Sequence, residues 1–163
     1  MFYKQLFAYL AGLVDGEGYI GIKRSTWGKR NRPDVKSPTY HERIQIRMVD
    51  EPAIKLFKQT FGGNYYQETK HSKYSKKPLY CYQATDRLAS DILEKLLPFL
   101  IIKNRQAELC LQLRASKNSK EARKRGGPKQ KRTMSDEVLA LRESLYQQIK
   151  NIQDYIILPA INV

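Results

Sequence analysis

Cysteine is scarce in this sequence. Cys81 and Cys110 are the only two among 163 residues, far apart and outside any CxxC pair. A disulfide framework or a structural zinc site needs denser cysteine, so neither is expected, and the composition fits a reducing intracellular compartment. Histidine is as sparse: His41 and His71 are too few for a His-based metal centre. No apolar run approaches the ~20 residues needed to cross a bilayer, so no membrane role is expected. The N-terminal MFYKQLFAYLAGL is apolar but leads into charged sequence without a signal-peptidase pattern, and it reads as a buried helix. Acidic residues are also short, with 16 Asp and Glu against 30 Lys and Arg and a formal net charge of +14. An excess of this size implies a polyanionic partner, nucleic acid ahead of an anionic membrane surface.

The hydrophobic fraction of 41% suffices for one core, with at most an appended helix. Residues 1–116 read as the core domain, 117–133 as a basic flexible segment, and 134–163 as a C-terminal helix and tail. Residues 4–14 carry Leu6, Leu10, Leu13 and Val14 at helical spacing. Ala8 and Gly12 stand four apart with Ala11 beside them. Such small residues either fill an ordinary core or admit a close second helix. YIGIKRS then reads as a strand with Ile20 and Ile22 on one face and Gly21 and Lys23 on the other. HERIQIRM alternates cleanly: Ile44, Ile46 and Met48 point one way and Arg43, Gln45 and Arg47 the other, a cationic and amide-bearing face suited to base edges and phosphates.

Asp50 reads as the N-cap of a helix over 51–61, with Pro52 in its first turn and Gly62-Gly63 at its end. A second hairpin follows in NYYQETK and LYCYQAT, where Tyr65, Tyr66, Tyr80 and Tyr82 leave the faces ambiguous. Helices over 86–97 and 102–115 flank Pro98. KNSKEARKRGGPKQKR, at 117–132, holds eight cations against one Glu and is expected to stay mobile until bound, or to be a solvated linker. Ser135 caps a last helix with Leu141, Leu145, Ile149 and Ile152 on one face.

The chemistry centres on LAGLVDGEG, residues 10–18. Asp15 and Glu17 fall where a helix exposes unpaired carbonyls and the negative end of its dipole. A hard cation such as magnesium or manganese would reverse that unfavourable placement, with Gly16 and Gly18 permitting a sharp turn and close approach. A solvent-exposed turn would use the same letters.

The stretch matches the signature of the LAGLIDADG homing endonucleases at six of nine letters, with Val14, Gly16 and Glu17 as the substitutions. LLPFLIIKNRQAEL, at 96–109, also resembles that family's later segment. The resemblance implies an α+β fold of order helix–strand–strand–helix–strand–strand–helix with a twisted antiparallel sheet, followed by C-terminal helices. It implies further that motif helices pair about a twofold, which would employ Ala8, Ala11 and Gly12. One motif copy implies a homodimer. Glu17 and the carbonyl of Gly16 are the implied ligands for Mg2+ or Mn2+. Glu17, Lys103 and Asp15 form the implied catalytic group, with Asp15 ordering the turn more than binding metal. Arg105 and Gln106 are further candidates. A glutamine that orients water in some members would fall near Met48 or Asp50, and neither is glutamine.

The implied reaction is hydrolysis of double-stranded DNA at a long, partly palindromic site, one strand per subunit. The DNA contacts expected are Lys23, Arg43, Gln45 and Arg47 from the first hairpin. Lys70, Lys73, Lys76 and Lys77 follow from the second, and Lys29, Arg30 and Arg32 from the first loop. Loss of cleavage with the fold retained, as in an intron-RNA splicing cofactor or a DNA-binding regulator, is the alternative expectation.

Overall fold

The computed structural model describes residues 2–25, 38–68, 77–119 and 135–157, with side chains described from 3 to 153 within those ranges. The chain begins with α1 (Phe2–Glu17), β1 (Gly18–Ser25) and β2 (Thr39–Met48), then α2 (Glu51–Phe61), β3 (Asn64–Gln67) and β4 (Tyr80–Thr85). It continues with α3 (Asp86–Leu96), a single 3₁₀ turn (Leu97–Phe99), α4 (Asn104–Asn118) and α5 (Asp136–Ile157). Local signals account for several boundaries. Asp50 caps α2 by accepting from the Ala53 N–H at 2.8 Å, and Gly62, at φ +78°, closes it. Pro98 sits in the 3₁₀ turn where α3 ends. The Ser135 hydroxyl accepts from the Val138 N–H at the start of α5.

The four strands form one antiparallel sheet of order β1-β2-β4-β3. Along β2, Tyr40, Glu42, Ile44 and Ile46 are buried while Thr39, His41, Arg43, Gln45 and Arg47 face out, as the alternation requires. The buried face meets Leu10 and Val14 of α1, Phe57 of α2, Leu93 of α3 and Leu109 of α4, closing the core. The other face is polar. Pairing of Tyr19 with Gln45, Gln45 with Gln83, and Gln83 with Asn64 sets one row of side chains across all four strands, and Arg47, Cys81 and Tyr66 form the next row on the same face.

Three placements differ from the helical patterning. Ala11 is fully buried in the core of its own chain, whereas Ala8 and Gly12 are exposed, so Ala11 cannot lie in the same outer stripe. On α5, Leu145 and Ile149 face inward but Leu141 is 50% exposed. Arg142 takes the inner position instead, donating to the Ser116 hydroxyl at 3.0 Å and the Ser116 carbonyl at 3.1 Å. Finally, α4 runs through Asn118, so Lys117, read with the basic segment, is helical. Lys117 meets Glu42 at 2.7 Å and Asp86 at 3.2 Å, while Arg114 reaches Glu42 at 2.9 Å.

Glu42 is thus a fully buried carboxylate held between two cations from α4, tying the middle of the sheet to the helix. Removing one side of such a cluster leaves charges uncompensated in a poorly hydrated place. Glu42→Ala should cost about 3–5 kcal/mol, read as a lower urea midpoint at unchanged slope. A loss below about 1 kcal/mol would show that water replaces the carboxylate without penalty.

Candidate active site and nucleic-acid face

The end of α1 and the turn entering α4 cap each other. Asp15 is almost wholly buried, and its carboxylate accepts from the main-chain N–H groups of Ile101 (2.7 Å), Ile102 (3.2 Å) and Lys103 (2.9 Å). In return, Lys103 Nζ donates to the Val14 carbonyl at 3.0 Å and, more closely, to that of Asp15. The lysine therefore neutralises the negative helix end that made two carboxylates look misplaced. Burial pulls the Lys103 ammonium below the usual lysine range, and the nearby Asp15 and Glu17 charges oppose that shift.

Asp15 and Glu17 consequently play different parts. Both oxygens of Asp15 are occupied by main-chain donors, which orders the turn at 101–103 and leaves little for a metal. Glu17 is exposed and makes no ion pair or hydrogen bond among the described residues. Gly16 is also exposed, and a Cβ added there would meet nothing within 4 Å beyond its own helix backbone. Gly18 is the constrained position, since a Cβ there would stand 2.6 Å from the Val14 carbonyl oxygen. Among the described residues, no group of three His, Cys, Asp or Glu side chains could cage a metal. Glu17 with the Gly16 carbonyl fits a hard divalent ion only as half a site, the kind that water and phosphate oxygens complete.

Neighbouring candidates go elsewhere. Arg105 pairs with Glu108 at 3.1 Å and reaches Gln148 on α5 at 3.4 Å, while Gln106 is buried with its amide oxygen unpartnered. Met48 packs against the core and Asp50 is committed to capping α2, so neither replaces the missing glutamine.

On the polar face of the sheet, Arg43 is the organising side chain. Its guanidinium donates to the amide oxygens of Gln45 (2.7 Å) and Gln83 (2.8 Å) and lies 6.0 Å from the centre of the Tyr19 ring. Tyr19 lies over Gly21, where a Cβ would stand 2.3 Å from the phenol oxygen. Gln45 also donates to Cys81 Sγ at 3.0 Å, and Arg47 pairs with Glu68. Lys23 projects from β1 and is exposed, as is Lys77 ahead of β4. Lys29, Arg30, Arg32, Lys70, Lys73 and Lys76 lie outside the described residues. Tyr19, Gln83 and Tyr66 were not anticipated on this face. The register of β4 against β2 identifies Gln83, and the Tyr-x-Gly spacing of residues 19–21 is the local sign for Tyr19.

No family model and no curated relative matches the chain. Solved structures do. The homing endonuclease I-CvuI, in complex with an I-CreI target in the presence of magnesium and with the DNA not cleaved, superposes with a TM-score of 0.70 at 18% identity, covering 94% of this chain and 85% of that one. The homing endonuclease I-TnaI gives 0.58 at 16% identity, covering 92% and 97%. The LAGLIDADG homing endonuclease I-LtrWI, bound to its target DNA, gives 0.62 at 16% identity, and this chain spans 53% of its length. The chain has the LAGLIDADG homing-endonuclease fold.

The division of labour between the two carboxylates is testable without any substrate. Asp15→Ala should destabilise the fold by about 2 kcal/mol, because three main-chain N–H donors lose a charged acceptor. The Ile101, Ile102 and Lys103 amides should then exchange faster with solvent. Glu17→Gln should leave the urea midpoint where it is. Equal destabilisation by both changes would contradict the assignment.

Proposed function

We propose that this chain is a site-specific, divalent-metal-dependent endonuclease of double-stranded DNA, acting as a homodimer through α1. The observation that carries the reading is Glu17: an exposed, unpaired carboxylate on a glycine-flanked helix end whose charge is already offset by Lys103. A carboxylate kept there without a partner suits a hard cation, and the fold places a polar, cationic sheet face on the same chain. The free, buried cysteines fit a reducing compartment.

A divalent ion bound at Glu17 and the Gly16 carbonyl would supply Lewis-acid charge to a phosphate oxygen and acidify a coordinated water. The chain's own residues do the rest. Glu17 supplies the anionic ligand. Lys103 uses two of its three N–H donors on α1 and keeps one for charge developing nearby. Asp15 fixes the turn that carries Lys103 and so holds the ammonium in register with Glu17. On the sheet, the Arg43 guanidinium lies 6.0 Å from the centre of the Tyr19 ring with one amino nitrogen held by Gln45 and Gln83, which leaves its other amino nitrogen for a guanine acceptor. Arg47 and the outlying lysines meet phosphates, and Arg47 exchanges Glu68 for one of them.

One observation favours a second reading, a DNA- or intron-RNA-binding protein without cleavage. Met48 and Asp50 carry packing and capping roles, so the water-orienting amide of some similar nucleases has no counterpart there.

Duplexes selected from a random library by the full chain identify its target, and cleavage of that target with and without magnesium separates the readings. Cutting should require the metal. Glu17→Gln should abolish cutting while changing duplex affinity less than threefold; tight binding with no cutting in magnesium or manganese would leave the second reading in place. A Cβ added at exposed Gly12 meets nothing within 4 Å beyond its own helix backbone, so Gly12→Leu starts without a clash in its own subunit. It should preserve the folded subunit but convert a sedimenting dimer to monomer, and an unaltered sedimentation coefficient would refute pairing through α1.

A further inference from the structure

Beside the polar face lies a cavity of about 390 Å³ between β1 and α5, lined chiefly by Tyr19, Lys23, Arg24, Arg43, Lys150 and Gln153. We infer that this notch receives a backbone phosphate of the duplex, making Lys150 and Gln153 of the C-terminal helix part of the nucleic-acid contact. The inference rests on the DNA-binding reading above and extends it to an element outside the sheet.

The charge pattern carries it. Four of the lining side chains are cationic and no carboxylate lines the notch among the described residues. Arg24 is offset by Glu143 at 3.2 Å, just outside. Lys23 and Lys150 have no ion pair or hydrogen bond among the described residues, and Arg43 meets only neutral groups there, the amides of Gln45 and Gln83 and the Tyr19 ring. Three uncompensated cations converging on one concavity raise the local positive potential and favour an anion there. The lining is too charged for an apolar small molecule, whose pockets are mostly hydrophobic with a few polar groups.

Position selects the anion. Tyr19, Lys23 and Arg43 belong both to the notch and to the polar sheet face, so the two surfaces are continuous. A duplex lying on that face would bring its backbone past the open side of the notch. The far wall is fixed in place: the Gln153 amide donates to the Ile20 carbonyl of β1 at 3.1 Å, Ile149 is buried in the core, and Tyr146 packs beside Tyr40. Lys150 is thus presented on a rigid helix, one turn from an anchored residue. A phosphate there would fix register and raise affinity without reading sequence.

The test uses the full chain and a fluorescent 40-base-pair duplex of random sequence, titrated across salt concentrations. Lys150→Gln should weaken binding about three- to tenfold near physiological salt and reduce the slope of log K against log salt by about 0.9, one lost phosphate contact. Preference among duplex sequences should not change. Lys95→Gln, on α3 behind the sheet, should change neither quantity. An unaltered slope for Lys150→Gln, with Arg43→Ala still weakening binding, would overturn the notch and leave the DNA reading intact. Absence of duplex binding by the unaltered chain would overturn both. Inorganic phosphate is the second probe: submillimolar shifts of the Lys23 and Lys150 amide resonances, with duplex affinity indifferent to Lys150→Gln, would assign the notch to a free anion instead.

Discussion

The reciprocal cap between α1 and the turn at 101–103 is the interaction on which the rest of the molecule depends. Asp15 takes three N–H groups ahead of α4, and Lys103 returns its ammonium to the last carbonyls of α1. Each helix end would otherwise present unsatisfied polar groups in a partly buried place. Because the two residues are 88 apart in sequence, this contact also decides where α4 begins relative to α1. The same local neutrality frees Glu17: with the dipole and Asp15 already answered, its carboxylate needs no partner within the subunit. Stability and proposed chemistry are thus assigned to neighbouring carboxylates by which one is buried.

A second constraint is the edge of the sheet. β1 is an outer strand, and an exposed edge invites pairing with other chains. α5 covers it through Gln153, Ile149 and the Arg24–Glu143–Tyr40 contacts. Covering the edge leaves a gap where the helix rises past the polar face, and that gap is where unpaired cations gather. The deeper anchor is Glu42, whose two α4 cations hold the middle of the sheet from below. His41, one residue before it, faces the other way and engages Asp86, which adopts φ +54°. Adjacent residues of β2 therefore serve the core and the outer face in turn.

Much of this was legible because strand alternation is a local property. The parity of Ile44, Ile46 and Met48 placed Arg43, Gln45 and Arg47 on the outer face, and the structure agrees. Carried two residues back, that parity also puts Glu42 inside, a sign of a buried ion pair that charge alone disguised. The caps at Asp50 and Ser135 were equally local. Ala11 was not legible, because helical spacing shows that Ala8, Ala11 and Gly12 lie near one another but not which side meets the core. Rotation of α1 is set by Leu10 and Val14 against the sheet, a contact between distant elements. For Asp15 the resemblance implied a turn-ordering part, but its partners were not legible, because they are main-chain groups, which no side-chain pattern marks. The contribution of α5 depends on packing against β1 across the whole chain, so Lys150 looked like any solvated helix lysine.

Correcting Ala11 sharpens the proposed dimer rather than weakening it. With Ala11 inside, the outer face of α1 reads Ala8, Gly12 and Gly16, spaced four apart and exposed throughout. At Gly12 and Gly16 even an added Cβ meets nothing within 4 Å beyond its own helix backbone, so the subunit itself gains nothing from glycine there and bears its helix penalty. Close approach of a second backbone is the physical use for such a row, and Glu17 stands at its end. The turn held by Asp15 points Ile101 and Ile102 outward, 86% and 66% exposed, an unfavourable display for a free surface. A twofold copy against α1 would give the glycines a function, bring a second Glu17 to the first, and turn the half-site of one chain into a site with enough oxygen ligands for a divalent ion.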